Sequence, residues 1–123
     1  MLLKDFYKVI SLENPIGLKY IATIIVNENH DVFKGHFPEN PIMPGVCMMQ
    51  IIKELSEQIT ESSLFMQTLT NVKFMALINP FISSELFLEF EINITEGGLV
   101  KVKNSTYFNE ILALKLSGIY RKI

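Results

Sequence analysis

A chain of 123 residues with 49% hydrophobic side chains is sized for one domain, residues 1–123, with a core of its own. Its formal net charge is −2 and its cations form no cluster, which disfavours nucleic-acid binding by phosphate neutralisation. No apolar run is long enough for a membrane span, so the mean hydropathy of +0.29 points to extra apolar surface buried in a dimer or around a ligand.

The first fifteen residues, MLLKDFYKVISLENP, carry Asp5 and lack a small-residue cleavage site, so no signal peptide is expected. FYKVI (6–10) and GLKYIATIIV (17–26) are β-branched and aromatic, predicting two strands about the turn residues Asn14 to Gly17. Residues 27–45 are rich in Asn, Gly and Pro and predict a long loop, a common place for function. The loop holds both histidines, His30, which reads as solvated, and His36.

A helix is predicted from Pro44 to about Thr60. Val46, Met49, Ile52 and Ile59 recur at helical spacing, joined by Ile51 and Leu55. Its first half is apolar almost all round, which predicts burial on every side. Cys47 falls in that half and reads as a small buried hydrophobe rather than a nucleophile. As the single cysteine it allows no disulfide within the chain, which fits a reducing cytoplasm. The second half, KELSEQITE, turns polar, so Glu54 reads as solvent-exposed.

Four strand-like runs follow: FMQTLTNVKFM, ELFLEFEINI, LVKVKNSTYF and ILALKLSGIYR, with turns at Glu96 to Gly98 and Asn109-Glu110. The order β-β-loop-helix-β-β-β-β predicts an α+β architecture, an antiparallel sheet of five or six strands wrapped around one helix. One sheet of this size does not cover a helix completely, so two sheets paired side by side are expected. Met43, Met48, Met49 and Phe74 are expected to line an apolar tunnel beside the helix, since Met side chains adapt to flexible ligands.

Chemistry is concentrated between residues 35 and 50. A histidine titrates near pH ~6.5 and can act as a base. Pro38, Pro41 and Pro44 stiffen the turn around His36. Pro44 suits the first turn of a helix, and Gly45 beside it leaves backbone N–H groups open to an oxygen ligand.

The stretch Gly35-His36-Phe37-Pro38, followed by Pro41-Ile42-Met43-Pro44-Gly45-Val46, resembles the signature of the β-hydroxyacyl-(acyl carrier protein) dehydratases, which have the hotdog fold. Val72 to Pro80, VKFMALINP, is similar to that family's strand ending in a proline turn. The resemblance implies removal of water from a 3-hydroxyacyl thioester on an acyl carrier protein, in fatty acid or related acyl chain synthesis, with no cofactor. It implies that His36 takes the proton next to the thioester carbonyl and that the Gly45 N–H polarises the thioester oxygen. It further implies that a carboxylate on the helix of a dimer partner protonates the leaving hydroxyl. Phe37, Met43, Pro44, Val46, Met49 and Phe74 then become substrate-binding residues.

The carboxylate position falls on Gln50. An amide donates a hydrogen bond but delivers no proton, and losing a general acid costs about 10²- to 10⁴-fold in rate, or ~3–5 kcal/mol of barrier. Glu54, one turn away on the same face, is the alternative acid. The other readings are a non-catalytic or partner-dependent hotdog subunit that binds acyl thioesters, in a homodimer or a heterodimer of related chains, and a thioesterase in which Gln50 orients water. At Ala76-Leu77 many relatives carry a basic residue followed by proline. Lys34, Lys73, Lys101 and Lys103 are the remaining cations for docking an acidic carrier.

Overall fold

In ELFLEFEINI every second side chain is apolar, and this alternation places Leu86, Leu88, Phe90 and Ile92 on one buried face. The computed structural model describes residues 5–34 and 42–123. Its strands are β1 (Tyr7–Ile16), β2 (Lys19–Val26), β3 (Leu64–Phe74), β4 (Glu85–Ile94), β5 (Leu99–Phe108) and β6 (Ile111–Lys122). They form one antiparallel sheet in the order β1-β2-β4-β5-β6-β3. The outer edges are β1 and β3. β1 runs on through Asn14 and Pro15, and the turn tightens to Gly17 and Leu18, where Gly17 takes a left-handed φ of 54°.

The inner face of the sheet is continued by Val100, Val102 and Phe108 on β5 and by Leu114, Leu116 and Tyr120 on β6. Asn104 is buried among them and satisfied. Its Nδ2 donates to the Glu89 carbonyl (3.1 Å), and its Oδ1 accepts from the Thr106 hydroxyl (2.7 Å). Asn109 and Glu110 make the two-residue turn between β5 and β6, both with positive φ, as a hairpin of matching twist requires.

A one-turn helix, α1 (Asp31–Lys34), interrupts the expected loop. His30 opens it and is not a solvated residue. It is half-buried, its Nδ1 accepts from the Val32 N–H (3.1 Å), and its ring stands edge-on to Phe6 at 5.0 Å. Phe6 is fully buried and stacks on Phe33. His36, Phe37, Pro38 and Pro41, with Gly35, lie outside the described residues.

The main helix, α2, runs Gly45–Thr60. Cys47, Met48, Ile51, Ile52, Leu55 and Ser56 are buried against the sheet. They form adjacent pairs one turn apart, the stripe of an amphipathic helix. Burial on every side is therefore not what one chain provides. Val46 is 74% exposed, and Met49, Gln50, Lys53 and Glu54 are half-buried on the open side. The all-round apolar first half arises because both the sheet side and the open side carry apolar residues. Among the described residues no helix is long and apolar enough to cross a membrane.

Candidate active site on the two sides of the main helix

Pro44 holds the entry to α2 in extended geometry (φ −63°, ψ 140°), and its carbonyl accepts from the Cys47 and Met48 N–H groups. Proline has no side-chain acceptor, so this helix start has no side-chain cap. The preceding residue is pinned: the Met43 N–H donates to the Ile78 carbonyl (2.8 Å). Beyond β3, the Met75 and Ala76 N–H groups donate to the Ala113 carbonyl, which ties that segment to β6. Between these two anchored strands of chain lies an apolar cleft of about 240 Å³, whose lining includes Met43, Gly45, Met48, Phe74, Leu77 and Leu114. Three of the four residues expected to line a tunnel thus meet there. The Phe74 ring crosses the helix start so closely that a Cβ on Gly45 would lie 2.8 Å from its Cζ. Phe74 is itself 56% exposed, and Leu77 stands at the rim.

The fourth expected lining residue, Met49, lies elsewhere, as does Val46. With Gln50, Lys53, Met66 and Tyr120 they bound a depression of about 220 Å³ on the other side of the helix. Gln50 also borders a wider, polar depression of about 540 Å³ shared with Tyr7, Glu54 and Glu57. The Gln50 Nε2 donates to Glu54 Oε2 (2.8 Å), and the Tyr7 hydroxyl donates to Glu54 Oε1 (2.8 Å). Glu54 is thus half-buried and doubly engaged, not the solvated residue that the polar run KELSEQITE predicts; strand β1 supplies the partner that the helix sequence does not reveal. Burial, and then the hydrogen bond to Glu54, hold the Tyr7 hydroxyl well above the ordinary tyrosine range, so it remains a donor.

Farther along the helix, Glu57 Oε2 accepts the Leu64 N–H (2.8 Å) and joins the end of α2 to the start of β3. Tyr120 is fully buried, and its hydroxyl has no hydrogen-bond partner among the described residues. Burial, then the nearby Glu57 charge, pushes it up to about 12. Burial also pushes the Cys47 thiol up, which suits a packing residue and not a nucleophile. Among the described residues no cluster of three His, Cys, Asp or Glu is placed to hold a metal.

Tyr7 is the residue of this site that the sequence does not announce. In FYKVI it reads as one aromatic among strand formers. Its only signal is that a partly buried tyrosine hydroxyl needs a partner, and the partner lies 47 positions away. Lys101 and Lys103 are exposed on β5, with Lys103 3.9 Å from Glu91. Lys73 is exposed on β3 opposite Lys115.

Two outcomes follow from this packing. Gly45→Ala displaces the Phe74 ring, but a half-exposed ring can swing aside, so stability should change by no more than ~1 kcal/mol in urea unfolding; a loss above ~3 kcal/mol would mean that Phe74 is locked in place. For Tyr120 the folded protein keeps the proton while the unfolded chain loses it near pH 10. Stability is therefore fully present below pH ~10 and falls as pH rises toward about 12. Tyr120→Phe should reduce that alkaline loss, leaving the share that the raised Tyr7 hydroxyl contributes, and at neutral pH it should be neutral or mildly stabilising, since it removes an unpaired buried polar group. Thermal melts at pH 7, 10 and 11 measure both effects.

Comparison with known proteins places this geometry. The family model described as ApeI dehydratase, ApeI-like, matches residues 14–109. A 3-hydroxyacyl-[acyl-carrier-protein] dehydratase FabZ from Caldanaerobacter subterraneus is 28% identical over 113 residues, covering 86% of this chain and 77% of that protein. Among solved structures, the dehydratase heterocomplex ApeI:P from Xenorhabdus doucetiae superimposes with a TM-score of 0.72 at 21% identity, over 94% of this chain and 97% of that one. A hypothetical thioesterase from Streptococcus pneumoniae, solved with coenzyme A, gives 0.65 at 11% identity, over 95% and 85%. The sheet order, the helix laid on its inner face and the span of the matched residues agree, and the chain is a hotdog-fold member of the ApeI-like dehydratase family.

Proposed function

We propose that this chain binds 3-hydroxyacyl thioesters carried on acyl carrier protein and contributes one half of a dehydratase site whose acid comes from elsewhere. The acyl chain enters the cleft lined by Met43, Gly45, Met48 and Phe74, whose apolar walls suit methylene groups. The thioester oxygen accepts from the backbone at the start of α2, where Pro44 and Gly45 provide no competing side-chain cap. His36 withdraws the proton from the carbon next to the carbonyl. That electron pair becomes the new double bond, hydroxide departs from the third carbon, and a proton donor must convert it to water.

The observation that carries this reading is the chain Tyr7–Glu54–Gln50. Glu54 accepts at both oxygens, and Gln50 supplies an amide. Neither is arranged to release a proton where the resemblance calls for an acid. Activity of the isolated chain is accordingly weak, and a related hotdog subunit supplies the missing carboxylate. The dehydratase heterocomplex ApeI:P, similar to this chain in fold, is itself an assembly of unlike subunits, and such a pairing suits this reading. A dimer also accounts for the open side of α2 and for the exposed Phe65 and Leu69 on edge strand β3. Light scattering at micromolar concentration should give a dimer, of this chain alone or with its partner. A monomer in both cases would count against the assembly.

One observation favours a second reading, in which Glu54 is the working acid: it is half-buried and borders the same depression as Gln50, the residue at the position where the resemblance places the acid. Dehydration kinetics separate the two. Under the first, Gln50→Glu raises the rate of the isolated chain by ~10²-fold or more, and Glu54→Gln has little effect on the weak basal rate. Under the second, Glu54→Gln abolishes the rate and Gln50→Glu does little. A robust rate unaffected by either substitution would remove this helix face from the chemistry. Because the fold is shared with a hypothetical thioesterase, the assay should follow both loss of water and release of free thiol. Thiol release without an enoyl product would replace elimination with hydrolysis.

A further inference from the structure

A short polar side chain often closes a turn by accepting from the backbone N–H two residues ahead. Asn27 does this with its Oδ1 and the Asn29 N–H (3.0 Å), and Asn79 does it with the Phe81 N–H (2.9 Å). At His30 the same bond is made by an imidazole: Nδ1 accepts from the Val32 N–H (3.1 Å). Val32 is the second residue of α1, so His30 is the cap of that helix. The surroundings hold the cap in place. The His30 ring stands edge-on to Phe6, which stacks on Phe33, and both phenylalanines are buried. The His30 N–H donates to the Asn27 carbonyl (3.1 Å), and its carbonyl accepts from the Phe33 N–H (3.0 Å). An amide oxygen accepts at every pH. An imidazole nitrogen accepts only while it is unprotonated, since the cation is a donor at both nitrogens.

We infer that His30 is a positioning residue and a pH-sensitive cap: its neutral ring closes α1, and protonation opens α1 by turning the acceptor for the Val32 N–H into a second donor. The sign follows directly. The cap is present above the titration of the ring and is lost as pH falls through it. The charged residues on the elements around the ring are Asp5 and Lys8 beside Phe6, Glu28 in the preceding turn, and Asp31 and Lys34 in α1. Asp5, Glu28 and Asp31 are exposed, so solvent and salt weaken their pull on the ring, and none of them replaces the lost acceptor at Val32 from its own place in the chain. α1 ends at Lys34, two residues before His36, so the cap governs where the segment bearing that histidine begins. Only this consequence for His36 rests on the proposed function; the cap and its loss on protonation stand without it.

The test is nuclear magnetic resonance on the whole nitrogen-15-labelled chain, between about pH 7.5 and 5.5, a range that brackets the ordinary imidazole titration. The ring nitrogens report the tautomer and the charge of His30, and amide exchange, divided by the intrinsic rate at each pH, reports the protection of the Val32 N–H. At the upper pH the ring should carry its proton on Nε2. As the ring titrates, Val32 protection should fall about fivefold, the value of one helix cap. His30→Asn supplies an acceptor that does not titrate, so its Val32 protection should stay high at both ends. His30→Ala should be low at both ends; if it fails to fold, judged by its melting temperature, the wild type and His30→Asn carry the comparison. A neutral ring with its proton on Nδ1 overturns the inference. So does a ring that stays neutral throughout the range, Val32 protection that does not change as the ring titrates, or a His30→Asn chain that loses protection as steeply as the wild type. No outcome depends on turnover, so a chain inactive as a dehydratase tests the cap equally well, and failure of the cap leaves the dehydratase reading standing.

Discussion

The burial of three adjacent pairs, 47/48, 51/52 and 55/56, against the sheet sets the rotation of α2 about its own axis. Helical periodicity then leaves no choice for the rest. Met43 and Gly45 open onto the apolar cleft, while Val46, Met49, Gln50, Lys53 and Glu54 face the other way. A rotation of one residue, about 100°, would carry Gln50 under the sheet and strand an amide in hydrocarbon, at a cost of ~1–3 kcal/mol. The core thus determines which residues meet a ligand.

That separation gives the helix two chemically distinct sides. One is an apolar slot closed at the helix start by Phe74 lying over Gly45. The other is a polar face organised around Glu54, whose two oxygens gather a strand residue and a helix residue. Glu57 repeats the device one turn on by accepting from the start of β3. Carboxylates on the half-open face of α2 therefore act as acceptors that bind the helix to β1 and β3, which completes the polar face without burying an unpaired charge.

Much of this is legible in the sequence. β4 and β5 begin and end where the runs ELFLEFEINI and LVKVKNSTYF do, because period-two alternation is imposed directly by a sheet with one buried face. The helix start at Pro44-Gly45 is legible for a local reason as well, since proline fixes its own φ. The motif around residues 35–46 points to the family. What the sequence does not disclose depends on contacts distant along the chain. Glu54 reads as solvated because a polar helix run says nothing of a strand crossing it. His30 reads as solvated because its packing on Phe6 spans 24 residues of sequence. Val46 and Met49 read as core, since an apolar residue facing an open side has the same letter as one facing a sheet.

Cys47 gains a use from where the fold puts it. As the single cysteine of the chain, 7% exposed and two residues from the start of α2, it offers an alkylating reagent almost nothing in the closed molecule. Its reaction must wait until the first turn lifts from the sheet, and the same opening would widen the slot beneath Phe74. The rate of thiol modification is thereby an intrinsic clock for local breathing at the mouth of the cleft, readable without any introduced label. Occupancy of the slot by an acyl chain would slow that clock by mass action, while unfolding of the remainder of the sheet would leave its own, separate signature at higher denaturant.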